Sequence, residues 1–147
     1  MTSGPILLAT LRGLVEAPLE IVAEVLLDVG PDGRSPIRPP GRISQIDSSD
    51  GIYRAIFDQA GSRVAVRVDS IAHTASIQGM WWYRADFALT SNNGNCLVTQ
   101  RIFNVADRLR WGVRFVARKP LAESRESFAA VLSAVQERLG CETYLLD

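Results

Sequence analysis

Hydrophobic positions recur at helical spacing near both ends of this 147-residue chain and at alternate positions through its middle. That change of period predicts a helix, a run of strands and a long closing helix. Ile6–Val15 is branched and apolar and predicts a first strand with Leu7, Ala9, Leu11 and Val15 facing inward. Glu16-Ala17-Pro18 reads as a helix start, since proline in a first turn gives up only an N–H that has no helical partner. Leu19, Val22, Ala23, Leu26 and Leu27 then repeat at helical spacing, and Asp28 and Gly30 end the helix. Residues 30–41 hold four prolines and three glycines, Pro31, Pro36, Pro39 and Pro40 with Gly30, Gly33 and Gly41, and predict a loop, either a rim over a cavity or a connector.

From Arg42 the period becomes two. Arg42–Asp47 and Ile52–Asp58 are strands, with Tyr53, Ala55 and Phe57 in one phase, and Gln59-Ala60-Gly61 is a turn. Ser62–Asp69 alternates Val64, Val66 and Val68 against Arg63, Arg67 and Asp69. His73–Gly79 follows, placing His73 in phase with Ala75 and Ile77. The run from Met80 to Leu89 sets Trp81, Tyr83, Ala85, Phe87 and Leu89 inward, against Trp82, Arg84 and Asp86. Asn93-Gly94 is a hairpin signal, and in the next strand Val98, Gln100, Ile102 and Asn104 share the inward phase. Residues 107–119 read equally as a helical turn or an extended lead-in. After Pro120, the stripe Leu121, Phe128, Val131, Leu132, Val135 and Leu139 predicts an amphipathic helix, with Gly140 as its C-cap.

The implied fold is α+β, a curved antiparallel sheet of about six to seven strands around a C-terminal helix. A chain of this length fits one domain spanning residues 1–147 and can bury a proper core. Sixteen basic and sixteen acidic residues cancel, which argues against a nucleic-acid partner. Two distant cysteines, Cys96 and Cys141, suggest neither a metal site nor a disulfide scaffold and fit a cytoplasmic protein. The start lacks the basic region of a signal peptide, and no apolar run reaches membrane-spanning length.

The order strand, helix, loop, meander and long helix resembles the START-like superfamily, also called SRPBCC or the birch-pollen-allergen-like helix-grip fold. The stretches Gly79–Phe87, Val98–Val105 and Arg110–Val116 are similar to its bacterial polyketide cyclase/dehydrase-like members. The resemblance implies a cavity between sheet and helix that holds a lipid, polyketide or other apolar molecule. No cofactor is expected.

On this reading a hydrophobic small-molecule ligand is held by Tyr53, Phe57, Val66, Trp81, Tyr83, Phe87, Gln100, Ile102, Arg125 and Phe128. The aromatic stripe and the valines supply apolar wall, or plain core. Tyr53, Tyr83, Gln100 and Arg125 orient a polar group, or find partners within the protein. The sole histidine, His73, is the candidate catalytic residue should the protein be a cyclase or dehydratase, and otherwise serves a turn. No metal site is expected. A third function is docking to a membrane surface or protein through Arg110, Arg114 and Arg118 around Trp111, against the reading of an ordinary solvated face. Oligomeric state is left open.

Overall fold

The computed structural model describes residues 4–79 and 81–146. Met80, which the pattern places at the head of the aromatic run, lies outside the described residues. Eight strands form one antiparallel sheet: β1 (Ile6–Val15), β2 (Arg42–Ser49), β3 (Ile52–Gln59), β4 (Ser62–Asp69), β5 (Thr74–Gly79), β6 (Tyr83–Asn92), β7 (Asn95–Asn104) and β8 (Thr143–Leu146). Their order across the sheet is β2-β3-β4-β5-β6-β7-β1-β8. The meander β2–β7 follows chain order because each connection is a tight turn. Asp50-Gly51 and Asn93-Gly94 both hold positive φ at both residues, the backbone that two-residue hairpins require and that Asn, Asp and Gly tolerate best.

Helix α1 (Leu19–Leu26) starts after Pro18 and buries Val22 and Leu26. A 3-10 turn (Arg110–Gly112) leads into α2 (Val113–Val116), which resolves the ambiguous stretch as helical. The closing helix α3 (Arg118–Leu139) buries Phe128, Leu132 and Val135 and ends on Gly140 at φ 64°. Burial of each such side chain contributes about 1.5–3 kcal/mol. The inner sheet face meets α1 and α3 in one large cluster that includes Val15, Phe57, Val66, Phe87, Val98 and Phe128. A second cluster gathers Trp82, Ile102, Ala106, Val113 and Ala117.

Four sequence expectations change. Leu7 is exposed rather than inward, because the β1–β7 register slips between Leu7 and Ala9 and reverses the phase there. Trp81 is 48% exposed and Trp82 buried, the reverse of the predicted alternation, because both lie in the turn before β6 begins at Tyr83. His73 sits in the turn before β5 at φ 57°, and its carbonyl accepts the Leu89 N–H at 3.0 Å. The sheet has eight strands rather than six or seven, since Thr143–Leu146 turns back from α3 to pair with β1.

Candidate functional site

Between the inner sheet face and α3 lies a cavity of about 160 Å³. The sheet supplies Ile77, Tyr83, Ala85, Phe87 and Gln100, and α3 supplies Ser127, Phe128 and Val131. Ile37, from the loop between α1 and β2, closes one side. Most of this wall is apolar. Its polar groups are the Tyr83 hydroxyl, the Gln100 carboxamide and the Ser127 hydroxyl. Ser127 is exposed and marks the rim.

Gln100 is 92% buried, yet none of the side-chain hydrogen bonds among the described residues involves it. Its neighbour in phase, Asn104, is fully engaged: its Oδ1 accepts the Ala106 N–H at 3.0 Å, and its Nδ2 donates to the Arg110 carbonyl at 3.5 Å. The two amides are chemically alike in sequence, but one is structural and the other faces the cavity. Burial raises the Tyr83 hydroxyl above its ordinary pKa, so it is a neutral donor and acceptor at physiological pH. Its ring packs edge-on to Trp82 at 5.4 Å and 85°, which fixes the phenol against both clusters.

The loop from 30 to 41 is a packed rim. The Ser35 hydroxyl donates to the Leu26 carbonyl at the end of α1 and accepts the Ile37 N–H at 3.2 Å. Arg38 Nε donates to the Gly30 carbonyl at 3.1 Å, and its guanidinium lies 4.9 Å from the centre of the Phe57 ring. These contacts hold Ile37 in the cavity wall.

No family model matches the sequence. No curated protein matches it either. Solved structures match over nearly the whole chain. Ara h 8.0201 is 14% identical, with 91% of this chain and 99% of that one covered and a TM-score of 0.54. A Thermobifida fusca protein solved by NMR is 18% identical over 90% and 94%, at 0.49. A Thalictrum norcoclaurine synthase point mutant, in complex with a transition-state analogue, is 13% identical over 92% and 98%, at 0.43. The likeness is one of fold and rests on Ara h 8.0201. The chain shares the helix-grip fold of Ara h 8.0201.

Within the helix grip, Tyr83, Phe87, Gln100 and Phe128 come together around the cavity, as the strand phases predict. Phe57 and Val66 lie deeper in the same core cluster, and Ile102 belongs to the second cluster. Tyr53 faces a separate hollow of about 270 Å³, bounded by Leu27, Val29, Gly30 and Val68. Its hydroxyl is buried without a hydrogen-bond partner among the described residues, and burial raises its pKa despite the opposing charge of Arg38. Trp81 and Arg125 are exposed and are not walls of the grip cavity, and neither is His73. Ile37, Ile77, Ala85, Ser127 and Val131 are walls that the sequence reading did not single out. Ile77, Ala85 and Val131 carry the right periodicity, whereas Ile37 stands in a proline-rich loop without one.

Size alone does not locate the site. Grooves of about 380 Å³ on the outer sheet face and about 830 Å³ beside Trp81 are larger, but neither lies between the sheet and α3. Among the described residues no His, Cys, Asp and Glu cluster forms a metal-binding group, and no helix is long and apolar enough to cross a membrane. Cys96 has no exposed surface, and burial pushes its thiol up to about 11, the Thr90 backbone hydrogen bond opposing only in part. It is a core residue rather than a nucleophile.

Proposed function

We propose that the helix-grip cavity binds a hydrophobic small molecule about the size of one substituted ring, with a polar edge held by Gln100 and Tyr83. The superfamily is a hydrophobic-ligand-binding fold family. The observation that carries the reading is the Gln100 carboxamide, which makes no side-chain hydrogen bond among the described residues and lines the cavity beside apolar side chains. A ligand hydroxyl or carbonyl would give that amide a hydrogen bond within the cavity, a net gain of about 0.5–1.5 kcal/mol. The volume sets the scale, since a dry cavity of about 150 Å³ accepts benzene whereas drug-sized ligands need about 300–1,000 Å³. A sterol or long acyl chain exceeds the space that Ile37 and Phe128 leave.

Binding is favoured over cyclase or dehydratase chemistry. Proton transfer near neutrality needs a group that titrates there. Among the described residues the cavity wall holds no Asp, Glu, His or Lys, and Tyr83 is shifted away from neutrality. The test is ¹⁹F NMR titration of the protein with 4-fluorophenol, with oleate as competitor. The expected result is saturable binding that Gln100→Leu or Tyr83→Phe weakens about 5- to 20-fold, with little competition by oleate. Equal affinity in wild type and both variants, or ready displacement by oleate, would overturn it.

A further inference from the structure

Residues 109–119 form a face that the ligand reading leaves unexplained. Val113 and Ala117, one helical turn apart, are 1% exposed and anchor the segment in the Trp82 cluster. The side turned to solvent carries two rows, each with members four residues apart. Trp111 is 70% exposed and Phe115 57%, while Arg114 and Arg118 stand beside them. Lys119 extends the aromatic row, and the Arg114 guanidinium lies 4.9 Å from the Phe115 ring centre. Leu109 is exposed as well and holds φ 53°, a left-handed backbone disfavoured for leucine. Large apolar groups are thus presented outward on a rigidly anchored support.

Arg110 is not part of this display. Its Nε donates to the Ala106 carbonyl at 3.2 Å and its Nη2 to the Gly4 carbonyl at 2.9 Å, so it ties the segment to the start of the chain. The exposed cations are Arg108, Arg114, Arg118 and Lys119, and Asp107 is the only acid between residues 107 and 119.

We propose that this face docks the protein on an anionic lipid bilayer. The charge is complementary, and each basic residue held near an anionic surface strengthens association about fivefold. Trp111 and Phe115 project between the cations, where an indole at headgroup depth has its apolar body in the boundary and its N–H in water. A symmetric pairing with a second copy would set Arg114, Arg118 and Lys119 against the same cations.

The test is sedimentation with vesicles of phosphatidylcholine alone or with about a third phosphatidylglycerol, at about 50 and 500 mM salt, alongside tryptophan emission. The expected result is binding to the anionic vesicles only, falling at least tenfold in high salt, with a blue shift in emission. Arg114→Glu/Arg118→Glu should abolish binding, and Trp111→Ser should abolish the blue shift. Arg114, Arg118, Trp111 and Phe115 are all exposed, and thermal unfolding checks that the variants fold. Equal binding to both vesicles, no binding to either, or anionic binding that survives the double charge reversal overturns the proposal. So does concentration-dependent self-association that Trp111→Ser/Phe115→Ser removes, which would assign the face to a second copy. A failure here leaves the fluorophenol result standing, since neither experiment uses the other's residues.

Discussion

Gly13 of β1 and Leu132 of α3 approach so closely that no side chain fits between them: a Cβ on Gly13 would stand 2.6 Å from Leu132 Cδ1 and 2.8 Å from Cδ2. Leu132 is itself buried, so it has little freedom to swing aside. This contact sets how deeply the helix seats on the sheet, and so bears on the space left at Phe128.

Gly13→Ala should therefore destabilise the fold by about 1–3 kcal/mol, the usual cost of overpacking, although alanine suits a strand better than glycine does. Urea unfolding measures it. Pairing the change with Leu132→Val should recover part of the loss, because the displaced methyl groups are then shortened. If Gly13→Ala is neutral, the approach is looser than these distances indicate.

Gln100→Leu should leave stability unchanged or raise it by about 1 kcal/mol, because an amide that makes no hydrogen bond within the protein is replaced by an apolar group of similar size. Asn104→Leu should instead cost about 2–4 kcal/mol, since it strips a partner from the Ala106 N–H and from the Arg110 carbonyl. Thermal and urea denaturation of the two variants separate a cavity amide from a structural one. Equal losses in both would mean that Gln100 has a structural partner.

Ile37→Ala should widen the cavity at the rim. A loss of about 2–4 kcal/mol in stability is expected from the deletion of a buried isoleucine side chain. The preferred ligand should shift from one ring towards two, as read by competition between 4-fluorophenol and 2-naphthol. Unchanged selectivity would place the binding site elsewhere.

Alkaline pH should weaken the fold through Cys96. Its thiol ionises near 9 in the unfolded chain and near 11 when buried, so the native state holds a proton that the unfolded state releases. Stability is then unaffected below pH 9 and falls as pH rises from 9 to 11, by on the order of 2 kcal/mol. Tyr83, also raised by burial, adds loss in the same direction above pH 10. Cys96→Ala, compared by urea unfolding at pH 8 and 10.5, should show a shallower fall. An identical slope in the variant would remove Cys96 as a cause.

His73→Gly should fold at least as well as the parent, since glycine adopts the left-handed turn at no steric cost. Fluorophenol binding should persist, because His73 is not a cavity wall. Loss of binding with folding intact would restore a ligand role for the histidine.

Much of this architecture was legible because the relevant signals are local. Val64, Val66 and Val68 alternate with charges, Asn93-Gly94 marks its hairpin, and Phe128, Leu132 and Val135 recur at helical spacing. What escaped depends on single-residue shifts or distant partners. One irregular step at Leu7/Ala9 turns Leu7 outward, and Trp81 and Trp82 stand in a turn rather than in β6, which frees them from its phase. β8 is four residues long, too short to show a period. At the site, Tyr83, Phe87, Gln100 and Phe128 follow from phase, whereas Ile37 reaches the wall only through the hydrogen bonds of Ser35. Gln100 and Asn104 share phase and chemistry, so only their partners distinguish them.

The place of β1 in the sheet governs when the protein can finish folding. Each strand from β2 to β6 pairs with its successor across a short connection, so the meander can zip as its residues leave the ribosome. β1 emerges first, yet one of its neighbours spans residues 95–104 and the other 143–146. Its Ile6–Val15 backbone therefore waits, unpaired and apolar, through most of synthesis. Of the eight strands, the one made earliest is thus among the last to find its neighbours.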